Sequence, residues 1–110
     1  MWIRLDGDFP DHPKVIGLTD AAKWLYVWAL CYAGRHLTDG YIPDAALTTG
    51  QRRTATRLAA AHLWIRHPDD NGWLIHSYLD YQQSRTEVEE LRRKRAEAGA
   101  KGGRAPKQKP

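Results

Sequence analysis

The hydrophobic period changes several times along this chain, and each change marks an element. Trp2 to Leu5, apolar at three of its four positions, reads as a short strand, while Asp6 to Pro13, broken by Gly7, Pro10 and Pro13, reads as an irregular loop. From Thr19, a good N-cap residue, apolar side chains recur at helical spacing to about His36, through Ala21, Trp24, Leu25, Trp28, Cys31 and Tyr32. Lys23 is the only charge between Asp20 and Arg35. A helix apolar on most of its surface is expected at the centre of a small fold, covered on several sides.

Thr38-Asp39-Gly40 then predicts a turn, Tyr41 and Ile42 a very short strand, and Pro43 the first residue of a helix reaching about Leu47. Thr48 followed by Gln51 is a capping box, so the chain ends one helix and starts another within about three residues, the turn length of a helix-turn-helix. The new helix is expected from about Gly50 to Leu63. Trp64-Ile65-Arg66 and Trp73-Leu74-Ile75-His76 are β-type runs on either side of a turn in which Asn71-Gly72 is the hairpin signal.

Ser84 and Glu87 form a second capping box. It opens a helix in which Glu89 with Arg93, and Glu90 with Lys94, stand at i,i+4. With Val88 and Leu91 as almost its only apolar residues, that helix should project from the body and fray near Gly99. Gly102, Gly103, Pro106 and Pro110, mixed with four cations, then predict a disordered arm. The predicted fold class is α+β, mainly α: a winged helix-turn-helix over residues 1–83, a projecting charged helix over 84–98 and a disordered basic tail over 99–110.

Charge is spread unevenly over this plan. Residues 1 to 91 hold nine Lys and Arg against twelve Asp and Glu, and residues 92 to 110 hold eight against one, so the formal charge of +4 comes from the tail. Inside the acidic body, the stretch between Asp44 and Asp69 has no carboxylate yet carries Arg52, Arg53, Arg57 and Arg66. At about 100° per residue, Gln51, Ala55, Leu58, Ala59 and His62 share one side of the helix, and Arg53, Thr56, Arg57 and Ala60 the other. Long cationic side chains beside a small Ala60 suit the wall of a DNA groove, with Arg and Thr supplying donors to phosphates and base edges.

The expected DNA-binding residues are therefore Thr49, Gln51, Arg52, Arg53, Thr56 and Arg57 on this helix. Arg92, Arg93, Lys94, Arg95, Lys101 and Arg104 would add sequence-independent affinity. Asp69 and Asp70 at the hairpin tip make the wing a poor phosphate contact.

Other chemistry finds little support. No Cys-x-x-Cys or His-Glu-x-x-His spacing occurs, and the acidic loop with Asp6, Asp8 and Asp11 lacks the glycine and closing glutamate of a calcium loop, so no metal and no cofactor are expected. His62 reads as a helix-end residue satisfied by a backbone carbonyl. Tyr78 and Tyr81 read as residues sealing the hairpin against the central helix, and no nucleophile with a paired base is visible, so no enzymatic activity is expected. Cys31, the single cysteine, fits a buried apolar position in a reducing compartment. The longest apolar run, Trp24 to Ala33, is too short for a membrane span, and the N-terminus lacks a secretion pattern, so a cytoplasmic, nucleoid-associated location is expected.

Four blocks carry a resemblance: Trp2-Ile3-Arg4-Leu5-Asp6; Phe9-Pro10-Asp11-His12-Pro13-Lys14-Val15; Arg35-His36-Leu37-Thr38-Asp39-Gly40-Tyr41-Ile42-Pro43; and Ile75-His76-Ser77-Tyr78-Leu79-Asp80-Tyr81-Gln82. Over about residues 2 to 95 the chain resembles small winged-helix proteins of actinobacterial phages and prophages, similar to the N-terminal domain of phage replisome organisers and replication initiators. The resemblance implies double-stranded DNA binding at a phage origin or regulatory site, with replication or transcription proteins as further partners and a homodimer as one possible form. It departs from those initiators where the chain runs into a basic arm instead of a further domain. Two alternatives use the same scaffold: a transcriptional regulator of phage or prophage genes, and a protein adaptor gripping an acidic partner.

Overall fold

Side-chain caps decide where the helices begin. In the computed structural model, which describes the backbone of residues 1–108 and the side chains of residues 1–100, His12 Nδ1 accepts from the Lys14 amide at 3.0 Å and opens the one-turn α1 (Pro13–Ile16). The Thr19 hydroxyl accepts from the Ala22 amide at 3.2 Å and opens α2 (Asp20–His36), which ends in a left-handed Leu37. β1 (Tyr41–Pro43) follows, then a single 3₁₀ turn over Asp44–Ala46 and α3 (Thr49–Ala60). β2 (Trp64–Arg66), β3 (Gly72–Ile75), the short α4 (Tyr78–Tyr81) and α5 (Arg85–Gln108) complete the order, and a further 3₁₀ turn over Phe9–Asp11 precedes α1 within the segment expected to be irregular.

The strands form one antiparallel sheet in the order β1-β3-β2, with Ile42 opposite Trp73 and Ile65 opposite Leu74. The molecule is thus α+β and mainly helical. Its core joins Leu25, Ala29 and Ala33 of α2 to Ala55 and Leu58 of α3, with Ile42, Trp64, Ile75 and Tyr78 closing it from the sheet side. The alanines on α2 let α3 come close, so that Ala55 and Leu58 lose all contact with water.

Several expectations are corrected. Trp2 to Leu5 form no strand, because the side-chain amide of the buried Gln82 supplies a substitute ladder partner: it accepts from the Arg4 amide at 2.9 Å and donates to the Arg4 carbonyl. Pro43 does not open a helix to Leu47. It pairs with Gly72 in the sheet, and the Asp44 amide donates to the Asn71 carbonyl at 2.9 Å, which leaves room for only the 3₁₀ turn. α3 stops at Ala60 instead of Leu63, since His62 takes a left-handed φ of 61° and the Leu63 amide reaches back to the Leu58 carbonyl at 3.0 Å. This closure turns the chain into β2, and it puts His62 in solvent instead of on the inner face.

At the hairpin, Asp70 rather than Asn71-Gly72 carries the positive φ. Along α2, Ala21 and Trp24 face out, Trp24 being 68% exposed, and Trp28, Cys31 and Tyr32 are half-buried; the buried face is Ala22, Leu25, Ala29, Leu30 and Ala33. The two tyrosines also divide: Tyr78 is buried, whereas Tyr81 is exposed.

At the start of α5 the Glu87 amide donates to the Ser84 hydroxyl at 3.1 Å, and the Arg85 amide donates to the Asp39 carboxylate at 2.6 Å. Its backbone stays helical past Gly99 to Gln108, where the sequence predicts a disordered arm from 99 onward. Ala96, Ala98 and Ala100 are the best helix formers, and Gly99 among them costs only about 1 kcal/mol, which accounts for the helix passing Gly99 but not for its course through Gly102, Gly103 and Pro106. The side chains of Lys101 and Arg104, and residues 109–110, lie outside the described part. No helix among the described residues is long and apolar enough to cross a membrane.

Candidate nucleic-acid interface

α3 is built to hold one face against the core and offer the other. Its capping box is closed in both directions: the Gln51 amide donates to the Thr48 hydroxyl at 3.1 Å, and the Thr48 amide donates to Gln51 Oε1 at 2.9 Å. Ala55 and Leu58 anchor the helix inward, which fixes the outward direction of the remaining side chains. Thr49, Arg52, Arg53, Thr56, Arg57 and Ala60 are all exposed.

Arg53 and Arg57 stand one turn apart, and neither has an ion-pair or hydrogen-bond partner among the described side chains. The Thr56 hydroxyl donates back to the Arg53 carbonyl at 2.6 Å, so its lone pairs point outward as acceptors. Two of the expected contacts have other duties. Gln51 is half-buried with its oxygen committed to the cap, leaving the amide NH₂ as its free donor, and Arg52 donates through Nε to the Asp44 carbonyl at 3.1 Å. No acidic residue lies in the first turn of α3.

Arg66, the fourth arginine of the acid-free stretch, belongs to a different structure. Its guanidinium makes a two-pronged pair with the Asp44 carboxylate at 2.9 and 2.7 Å, a third contact with Asp70 Oδ1 at 3.1 Å, and lies 4.8 Å from the centre of the Trp73 ring. Asp44 is thereby a node, its carbonyl taking Arg52 of α3 and its carboxylate taking Arg66 of β2. At the hairpin tip Asp69 accepts from the Asn71 amide at 2.8 Å and from the Tyr41 hydroxyl at 3.0 Å. Sequence reading missed this lock because Asp44 and Arg66 lie 22 residues apart; the one local signal was the positioning of Arg66 between two aspartates and a tryptophan.

The Arg66 hydrogen bonds hold the Asp44 carboxyl below its ordinary value of 3.8, and the Asn71 amide does the same for Asp69. A depressed carboxylate stabilises the fold at every pH above the unfolded value and loses that contribution as pH falls through the folded one. Asp44→Asn should therefore cost about 1 kcal/mol at neutral pH, solvent screening limiting a pair whose side chains are 34% and 30% exposed. The same variant should show a flatter decline in stability below pH 3.8 than the parent. Urea unfolding at pH 7 and at successively lower pH measures both.

On α5 the expected i,i+4 pairs are replaced by others. Arg93 binds Glu90 and Glu97, and Arg85 binds Glu89 at 2.8 Å, so Arg93 is already neutralised by its own helix. Arg92, Lys94 and Arg95 are exposed and form no ion pair among the described side chains. No group of three or more potential metal ligands lies together among the described residues. No protein-family model, curated protein or solved structure matches the chain.

Proposed function

We propose that this protein binds double-stranded DNA as a winged helix-turn-helix, with α3 in the major groove. The order helix, strand, turn, helix, hairpin and the β1-β3-β2 sheet agree with that plan. One observation carries the reading: Arg53 and Arg57, with Arg52 beside them, project from a helix that has no carboxylate of its own. Like charges one turn apart disfavour the helix slightly, and a polyanion relieves that repulsion. Thr49, Thr56 and the Gln51 amide complete the surface offered to the duplex. The acidic, internally paired hairpin tip stays off the phosphates, and Arg92, Lys94, Arg95 and the following cations contribute affinity without sequence preference. Given the resemblance of the opening block, the site is a phage or prophage origin or regulatory sequence.

Titration of duplex DNA at several salt concentrations tests this. The logarithm of the binding constant should fall linearly with the logarithm of salt, by about 0.9 per phosphate contact. Deleting residues 92–110 should lower affinity for all sequences alike and flatten the slope. An unaltered slope would give that segment a different partner, and weak duplex binding with no sequence preference would favour the adaptor over DNA recognition.

A further inference from the structure

A groove of about 590 Å³ runs between the N-terminal segment and α5. One wall is Met1, Trp2 and Ile3; the other is Val88 and Leu91, with Arg92 and Arg95 at the edge. Among the described residues that line it there is no carboxylate.

The N-terminal wall is held in place. Gln82 clamps both backbone groups of Arg4, and Gly34 of α2 admits the segment closely: a Cβ there would lie 3.3 Å from Ile3 and 3.4 Å from the Met1 sulfur. Yet Trp2 on this fixed segment is 97% exposed and Met1 73%. A tryptophan presented to water by an anchored backbone, beside arginines without an ion pair among the described side chains, has the composition of an interface centre, where Trp and Arg carry much of the binding energy.

Charge decides what fits. The chain's own tail is basic and is repelled by Arg92 and Arg95. A duplex backbone has phosphates for those arginines but no apolar surface for Met1, Trp2 and Leu91. A peptide helix with an apolar stripe and flanking carboxylates satisfies both walls. We propose that this groove docks an acidic amphipathic segment of a partner protein. Its apolar side chains pack on Trp2, Met1 and Leu91, and its carboxylates pair with Arg92 and Arg95. The proposal is independent of DNA binding by α3.

The test uses the isotope-labelled full chain and two synthetic helical peptides, both with leucines at helical spacing, one with glutamates elsewhere and the other with lysines. The glutamate peptide should shift the amide resonances of residues 2–4 and 88–95, and the lysine peptide should not. Trp2→Ala, and separately Arg92→Glu with Arg95→Glu, should each weaken the glutamate peptide by about tenfold or more, while Trp2→Ala leaves duplex binding unchanged. Three results would overturn the proposal: no shifts at about 1 mM glutamate peptide; equal binding of the two peptides; or concentration-dependent shifts of the groove without peptide, which would assign it to a second copy.

Discussion

Replacing Arg53 and Arg57 together by alanine is expected to weaken binding to a preferred duplex, selected from random sequence, by about 2 to 6 kcal/mol, at about 1 to 3 kcal/mol per lost base contact. Binding to unrelated duplexes should fall much less, so the preference itself collapses. Both side chains are exposed, and neither is tied to another described side chain, so the fold should survive the change. Removal of two like charges at i,i+4 should even favour α3 by a few tenths of a kcal/mol. The pair Arg53→Lys and Arg57→Lys separates charge from geometry, because lysine keeps the attraction to phosphate but loses the planar fork that reads a guanine edge. Fluorescence anisotropy on selected and unrelated duplexes measures all three proteins. If the alanine pair keeps its sequence preference, α3 is not the reading element.

Gly72→Ala should be the most damaging small substitution in the sheet. A Cβ at this position would sit 2.6 Å from the Ile42 carbonyl oxygen and 2.7 Å from the Tyr41 ring. The backbone oxygen has no freedom to withdraw, because Ile42 is fully buried and opposite Trp73 in the ladder; the Tyr41 ring could swing away only by giving up its hydroxyl bond to Asp69. Overpacking against backbone costs about 1 to 3 kcal/mol or more, which for a domain of this size lowers the Tm by about 4 to 8 °C per kcal/mol. Gly50→Ala is the matched control, since nothing lies within 4 Å of its Cβ and alanine is the better helix former. Thermal unfolding should show a marked loss at position 72 and none at 50. Equal behaviour at the two glycines would refute the close-approach account of Gly72.

How much of this was legible beforehand depends on the range of the interaction responsible. Thr19 and the Thr48–Gln51 box act within one turn of backbone, so the starts of α2 and α3 could be read directly from residue types. The outward set of Arg53, Thr56 and Arg57 followed from angular spacing once Ala55 and Leu58 marked the inner side. The side of α2 that is buried did not follow, because that helix is apolar nearly all round, and only the placement of α3 and β1 leaves Trp24 outside. The N-terminal segment looked like a strand by its apolar residues, and its true partner, Gln82, lies 78 residues away.

The chain alone, then, determined the starts of α2, α3 and α5, its hairpin strands, the segregation of charge and the cationic side of α3, since each depends on neighbours within a turn or two. Tertiary structure decided which arginines remain free. Arg66 and Arg53 are the same residue type in one acid-free stretch, yet folding brings the distant Asp44 to the first and no ion-pair partner among the described side chains to the second. Coulomb attraction and hydrogen bonding act through space within a few ångströms, and spatial proximity between distant residues is a property the linear order does not contain.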